Sequence, residues 1–173
     1  IPLTLQTNTP VNVDFIVGNV VPEAANDLVL TTASSDDANG IEWKEGDNVI
    51  LSSHEHPGNR LTWYNIADRH HVKLRFVKMT NDRNRMLNEL RQMVDDRTRL
   101  ISISHVSRRT GMRVPAAAIC EIAHNQDVPV LFDGAQSFGA IPVDVRELDC
   151  DFYAFCGHKY ILAPQGTGGL YIR

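Results

Sequence analysis

The 173-residue chain reads as an α/β protein, a three-layer arrangement in which a mostly parallel sheet is covered on both faces by helices. Three observations predict this. Short β-branched apolar runs alternate with helical or loop segments along most of the chain. Most of those runs lack polar alternation, which suits strands whose two faces both avoid water. Polar, reactive side chains gather just after the runs, where open α/β sheets place their ligand crevice.

In chain order, residues 1–27 hold apolar residues without a clean period, repeat or low-complexity linker, and no element is assigned there. Strands are expected at Leu28 to Thr32, Asn48 to Ser52, Val72 to Val77, Leu100 to Ser104, Val128 to Phe132, Asp151 to Phe155 and Gly168 to Ile172. A helix should follow Pro57 and include Leu61, Trp63, Tyr64 and Ile66. Between Arg83 and Arg97, the residues Met86, Leu87, Leu90, Met93 and Val94 recur at helical spacing and form an apolar stripe on a charged segment, a core-facing pattern. Pro115 suits the first turn of another helix, which runs through Ile119, Ile122 and Ala123 to His124.

Bulk properties narrow the function classes. The length fits one domain. With 43% hydrophobic and 22% charged residues, the composition argues against disorder and against a fibrous repeat. Seventeen Lys plus Arg against 21 Asp plus Glu leave a formal charge of -4, so no basic surface advertises a nucleic-acid backbone or an anionic membrane. A small-molecule partner fits better. Cys120, Cys150 and Cys156 match neither a disulfide scaffold nor a zinc ribbon, no apolar stretch approaches the roughly 20 residues of a membrane span, and the N-terminus shows no secretion signal. The expected location is cytoplasmic, with reduced thiols.

Two segments carry the chemistry. Lys159 lies in Phe155-Cys156-Gly157-His158-Lys159-Tyr160, between a strand and the turn-rich Ala163 to Gly169 stretch; a lysine there can form a Schiff base with an aldehyde where its surroundings favour the neutral amine. Asp133 ends an apolar run in Val130-Leu131-Phe132-Asp133-Gly134-Ala135-Gln136-Ser137. A carboxylate at that place requires a cationic or hydrogen-bonding partner, and a protonated pyridine nitrogen is one such partner. Taken alone, each has an ordinary reading: a solvated loop lysine, and an Asp-Gly turn that caps a strand.

Together these segments resemble the class V aminotransferase family of fold type I pyridoxal-phosphate enzymes, which includes cysteine desulfurases, cysteine and cystine lyases, and isopenicillin N epimerases. The likeness runs from about Leu28 to Arg173. It is strongest in Asp133-Gly134-Ala135-Gln136-Ser137 and in Asp151 to Lys159, joined by Pro142-Val143-Asp144-Val145. The resemblance implies pyridoxal 5'-phosphate as cofactor, attached to Lys159, with Asp133 at its pyridine nitrogen, Gln136 at its phenolic oxygen and His158 near its phosphate. Glu55-His56-Pro57-Gly58-Asn59 is similar to the family segment whose histidine stacks on the cofactor ring, which assigns that role to His56; His54 and Glu55 are read as structural. Thr31 to Asn39 looks like the family's phosphate segment and places Ser35 at its threonine, with Asp36 and Asn39 also fitting, although the stretch from Asn39 to Gly46 is about one helical turn short. Two further departures are Arg108, where many desulfurases carry asparagine, and Cys156, where serine or threonine is common.

The domain reading that follows is an uncommitted segment, 1–27, and the cofactor-binding large-domain core of the fold, 28–173, without the family's C-terminal small domain. The implied function is chemistry on an amino acid, carbon–sulfur lyase or cysteine desulfurase-like, with class V aminotransfer or epimerisation as alternatives; the His-Pro-Gly variant and the Gly168 to Ile172 ending resemble the lyase and epimerase branch. A homodimer is implied by the resemblance alone. Two readings from other classes stand beside it: a metal hydrolase that uses His54 and His56 as a His-x-His pair, and a non-catalytic remnant of the fold. No metal site is expected in the leading reading.

Overall fold

The structure, a computed structural model, describes residues 41–173 together with the backbone of Val13 and Asp14. Its core is a mixed sheet in the order β1-β7-β6-β5-β4-β2-β3 among the described residues. The strands are β1 (Val13–Asp14), β2 (Asn48–Ser52), β3 (Lys73–Val77), β4 (Thr98–Ser104), β5 (Val130–Asp133), β6 (Phe152–Cys156) and β7 (Gly168–Ile172). From β3 to β6 all neighbours are parallel; β7 runs antiparallel to β6, and β1 antiparallel to β7.

Helices α1 (Pro57–His70), α2 (Arg83–Met93), α3 (Ala116–His124) and the short α4 (Val145–Leu148) make the crossovers. Right-handed crossovers explain their faces, because the chain steps outward from β2 to β3, then returns past β2 to β4, β5 and β6. Reversing direction moves the helices to the opposite side. Accordingly α1 closes one core, where Trp63 and Ile66 meet Val49, Leu51, Leu100 and Leu131. Helices α2, α3 and α4 close the other, where Met86, Leu90, Ile119 and Leu148 meet Ile50, Ile101, Ile103, Val130 and Phe132. Successive residues of β2 and β5 thus enter different cores, which is why neither strand shows polar alternation.

Every strand expected from Asn48 onward is present within two residues of its expected limits, while the strand expected at Leu28 to Thr32 lies outside the described residues. The α2 stripe stops earlier than Arg97. Val94 leaves helical geometry, and Asp95 and Thr98 close the next turn through the Asp95 N–H to Thr98 Oγ1 and Thr98 Oγ1 to Asp95 Oδ1 bonds, a local alternative that Asp and Thr offer to a continuing helix. Pro115 occupies the position just before α3 rather than its first turn. The face of α1 also differs in detail: Trp63 and Ile66 are buried, while Leu61 and Tyr64 are exposed. Two elements had no counterpart in the sequence reading, α4 and the two-residue β1.

Candidate functional site

The parallel strands β2, β4, β5 and β6 end on the same edge of the sheet, and the start of antiparallel β7 lies there too, with Cys156 paired to Gly168. The connections step across the sheet in opposite directions from β2 and from β4, which are parallel neighbours, so their carboxyl ends flank the crevice expected of an open α/β sheet. His56, Asp133, Gln136, His158 and Lys159 all leave the sheet at this edge. Ser35, with the whole Thr31 to Asn39 segment, lies outside the described residues.

Asp133 is the last residue of β5 and is buried. Its Oδ1 accepts the Ala135 N–H at 2.9 Å, and its carbonyl accepts the His105 N–H from the neighbouring strand end at 2.9 Å. The Asp-Gly pair is therefore more than a turn. Gly134 does not have a positive φ; a Cβ there would stand 2.2 Å from the Tyr153 ring, so the glycine is required by the close approach of that ring. Tyr153 is held in turn by Ser137 Oγ at 2.7 Å and His105 Nδ1 at 2.9 Å. Burial, with a lesser contribution from the Arg113 charge, lowers the His105 pKa to about 4, so this imidazole is neutral at ordinary pH.

The loop after β6 is tight. Gly157 donates to Thr167 O at 2.7 Å and accepts from Ala163 N at 3.0 Å, and a Cβ on it would meet Thr167 Oγ1 at 2.3 Å. Lys159, part exposed, follows on this loop, and the next residue ties it to the Asp133 segment because Tyr160 Oη donates to Gln136 Oε1 at 3.3 Å. His158 Nδ1 is buried without a hydrogen-bond partner among the described residues. Cys156 lies among these groups: burial raises its thiol pKa, the Lys159 charge opposes that rise and the Asp133 charge adds to it. The thiol is protonated and inert.

His56 caps α1 in place of the usual small polar residue, its Nδ1 accepting the Gly58 N–H at 3.1 Å, with Pro57 at the first helical position. Since a backbone N–H is the donor, Nδ1 carries no proton, and the neutral ring is protonated on Nε2. Beside it Glu55 is buried and accepts from Ser104 N at 2.9 Å, Ser104 Oγ at 2.7 Å, Asn59 Nδ2 at 2.9 Å, and Ser52 Oγ. The sequence does hint at this network, in the four-residue spacing of Glu55 and Asn59 and in the Ser that ends each of β2 and β4.

Among the described residues the His54 and His56 pair gathers no further metal ligand. His54 Nδ1 pairs with Ser107 Oγ at 3.3 Å while His56 Nδ1 is engaged with Gly58, and among the described residues no three His, Cys, Asp or Glu side chains group as metal ligands. Arg108 is exposed in the turn that follows Ser107, which is itself buried.

Comparison with known proteins places this geometry. The chain is 38% identical over 157 residues to a cysteine desulfurase of Shigella sonnei and 37% identical to one of Escherichia coli K12, in each case covering 87% of this chain and 38% of the relative. Among solved structures, a C-DES mutant with glycine covalently linked to its PLP cofactor superposes with TM-score 0.77 at 36% identity, covering 83% of this chain and 39% of that one. The apo cysteine desulfurase of Thermococcus onnurineus NA1 superposes with TM-score 0.78 at 27% identity, covering 93% of this chain and 38% of that one. The chain thus spans less than two fifths of the length of these relatives. The family model for class-V aminotransferases matches residues 25–173, and with that match the chain belongs to the class-V aminotransferase family.

Proposed function

We propose that this chain is the cofactor-binding core of a pyridoxal-phosphate-dependent enzyme that acts on an amino acid, cleaving a carbon–sulfur bond in the manner of the cysteine desulfurases and of the cystine C-S lyase C-DES to which it is similar. The observation that carries the proposal is the convergence of a buried strand-end carboxylate, Asp133, with the Lys159 loop, which is fastened to the Asp133 segment through Tyr160 and Gln136.

The residues present fit the cofactor. The buried Nδ1 of His158, which has no hydrogen-bond partner among the described residues, would offer a polar contact to a phosphate oxygen, and the buried Asp133 would offer a carboxylate to a protonated ring nitrogen. Ser35 would add a hydroxyl to the phosphate, Gln136 would meet the phenolic oxygen, and His56 would lie against the ring. When bound, pyridoxal phosphate supplies an electron sink for the α-carbon of an amino acid. Asp133 would hold a proton on the ring nitrogen, since a neighbouring anion favours the charged form. Lys159 would be the point of attachment, and its amine, when neutral and free, would take the α-proton and return it. Burial of Asp133 keeps its carboxylate out of water, which strengthens its interaction with a cationic partner. A cytoplasmic homodimer accompanies this reading; among the described residues no helix is long and apolar enough to cross a membrane.

The test is borohydride reduction of protein loaded with pyridoxal phosphate, followed by peptide mapping. Modification at Lys159 supports the proposal and argues against a non-catalytic remnant. Modification of another lysine with Lys159 intact would falsify it.

A further inference from the structure

We propose that Glu55 is a positioning residue for this site, a buried carboxylate that locks the orientation of the His56 imidazole relative to Asp133. The inference rests on the role given to His56 above, but its evidence is independent of any cofactor. Glu55 is 5% exposed, and its partners among the described residues are all uncharged donors: Ser52 Oγ at the end of β2, Asn59 Nδ2 at 2.9 Å in the first turn of α1, and Ser104 N and Oγ at 2.9 and 2.7 Å at the end of β4. One side chain thus joins three elements. Removing a carboxylate from water is costly, and apolar packing would join the same elements at less expense. What a carboxylate adds is direction, since each bond it accepts constrains an angle as well as a distance.

The constrained segment is the one that carries His56. Glu55 precedes the cap residue of α1 and Asn59 is the third residue of that helix, so their bond brackets the cap. Inside the bracket lies the His56 Nδ1 to Gly58 N–H bond, which selects the ring tautomer protonated on Nε2. On its other side Glu55 grips Ser104, which pairs with Asp133 across the ladder, and the next residue, His105, donates its N–H to the Asp133 carbonyl at 2.9 Å. The His56 cap and the Asp133 strand end are therefore held through one carboxylate. In sequence Glu55 sits inside a polar His-Glu-His cluster, and its burial becomes visible only when β4 is placed beside β2.

The experiment uses the full chain labelled with nitrogen-15, without cofactor, and reads the His56 tautomer from two-bond proton–nitrogen spectra at a pH where the ring is neutral. The parent should show the Nε2-protonated form in excess. In Glu55→Gln, whose amide presents a donor where the native site needs only acceptors, that tautomer excess should fall by about fivefold, the worth of one hydrogen bond. Glu55→Asp, which keeps the charge but shortens the arm, should recover part of the excess. Ser104→Ala, which removes one donor and keeps the backbone one, serves as the milder probe if Glu55→Gln does not fold; it should shift the ratio in the same direction by less. A chain whose urea midpoint drops in these variants while the His56 ratio stays at the parental value would overturn the proposal, because Glu55 would then be holding the fold and not the histidine. The outcome is separable from the cofactor reading: failure to trap Lys159 leaves this ratio unmoved, and an unmoved ratio in the variants leaves Lys159 trapping intact.

Discussion

His105 should act as an acid-sensitive element beneath the candidate site. It is fully buried, it packs on Phe132 and Tyr153, and its Nε2 has no hydrogen-bond partner among the described residues. Its pKa falls from 6.5 to about 4 because burial penalises the imidazolium and the Arg113 charge adds to that penalty. Between about 4 and 6.5 the unfolded chain binds a proton at this residue that the folded chain does not, so stability is fully present above 6.5 and is lost as the pH falls towards 4. At about 1.36 kcal/mol per pH unit, that interval corresponds to about 3 kcal/mol, a large share of an ordinary domain's stability. The perturbation is His105→Gln, which keeps a polar group facing Tyr153 but does not titrate. Urea denaturation of parent and variant across pH 7 to 4 measures the difference. The variant should start less stable at pH 7, through imperfect packing, and lose less on acidification, so the two curves converge by about 3 kcal/mol. Parallel curves would refute the reasoning, since they would mean that His105 takes up its proton equally in both states.

Three further outcomes follow from the geometry. Gly134→Ala should destabilise the chain by about 1–3 kcal/mol in urea titration, because a Cβ 2.2 Å from the Tyr153 ring must displace a side chain already held by Ser137 and His105; an unchanged midpoint would contradict the close approach. Asp133→Asn should leave the fold in place, judged by circular dichroism, and slow exchange of an amino acid's α-hydrogen in heavy water by roughly 10²-fold or more in the loaded protein, because an amide does not hold the ring nitrogen protonated; equal rates would remove Asp133 from its proposed role. Cys120, Cys150 and Cys156 are all buried with raised thiol pKa values, Cys150 to about 12, chiefly through burial; thiol reagents at neutral pH should label them only as fast as the protein opens, and labelling that outpaces hydrogen exchange of the same strands would show a more accessible thiol.

The fold class, the strands from Asn48 onward and the helices of the three long crossovers are legible along the chain, because each signal is local. A β-branched run of four to seven residues is a strand wherever it lies, and the Met86, Leu87 and Leu90 spacing forms a helical face before any partner is known. The resemblance carried by Asp133 to Ser137 and by Asp151 to Lys159 rests on contiguous residues, so it too was legible along one line. The remaining features are pairwise and long-range, and they emerge only once the strands are placed side by side. That Gly134 is forced by Tyr153, nineteen positions on, depends on β5 lying beside β6. That Glu55, read from sequence as merely structural, is a buried carboxylate bonded to Ser104 depends on β4 returning past β2 instead of continuing beyond β3. The antiparallel turn of β7 was equally illegible, since a short apolar run carries no record of its direction. Periodicity encodes which residues avoid water. It does not encode which of them meet, because strand order is set by crossover handedness and by the closing of two separate cores, and a reversal between β2 and β4 changes neither the composition nor the period of either strand.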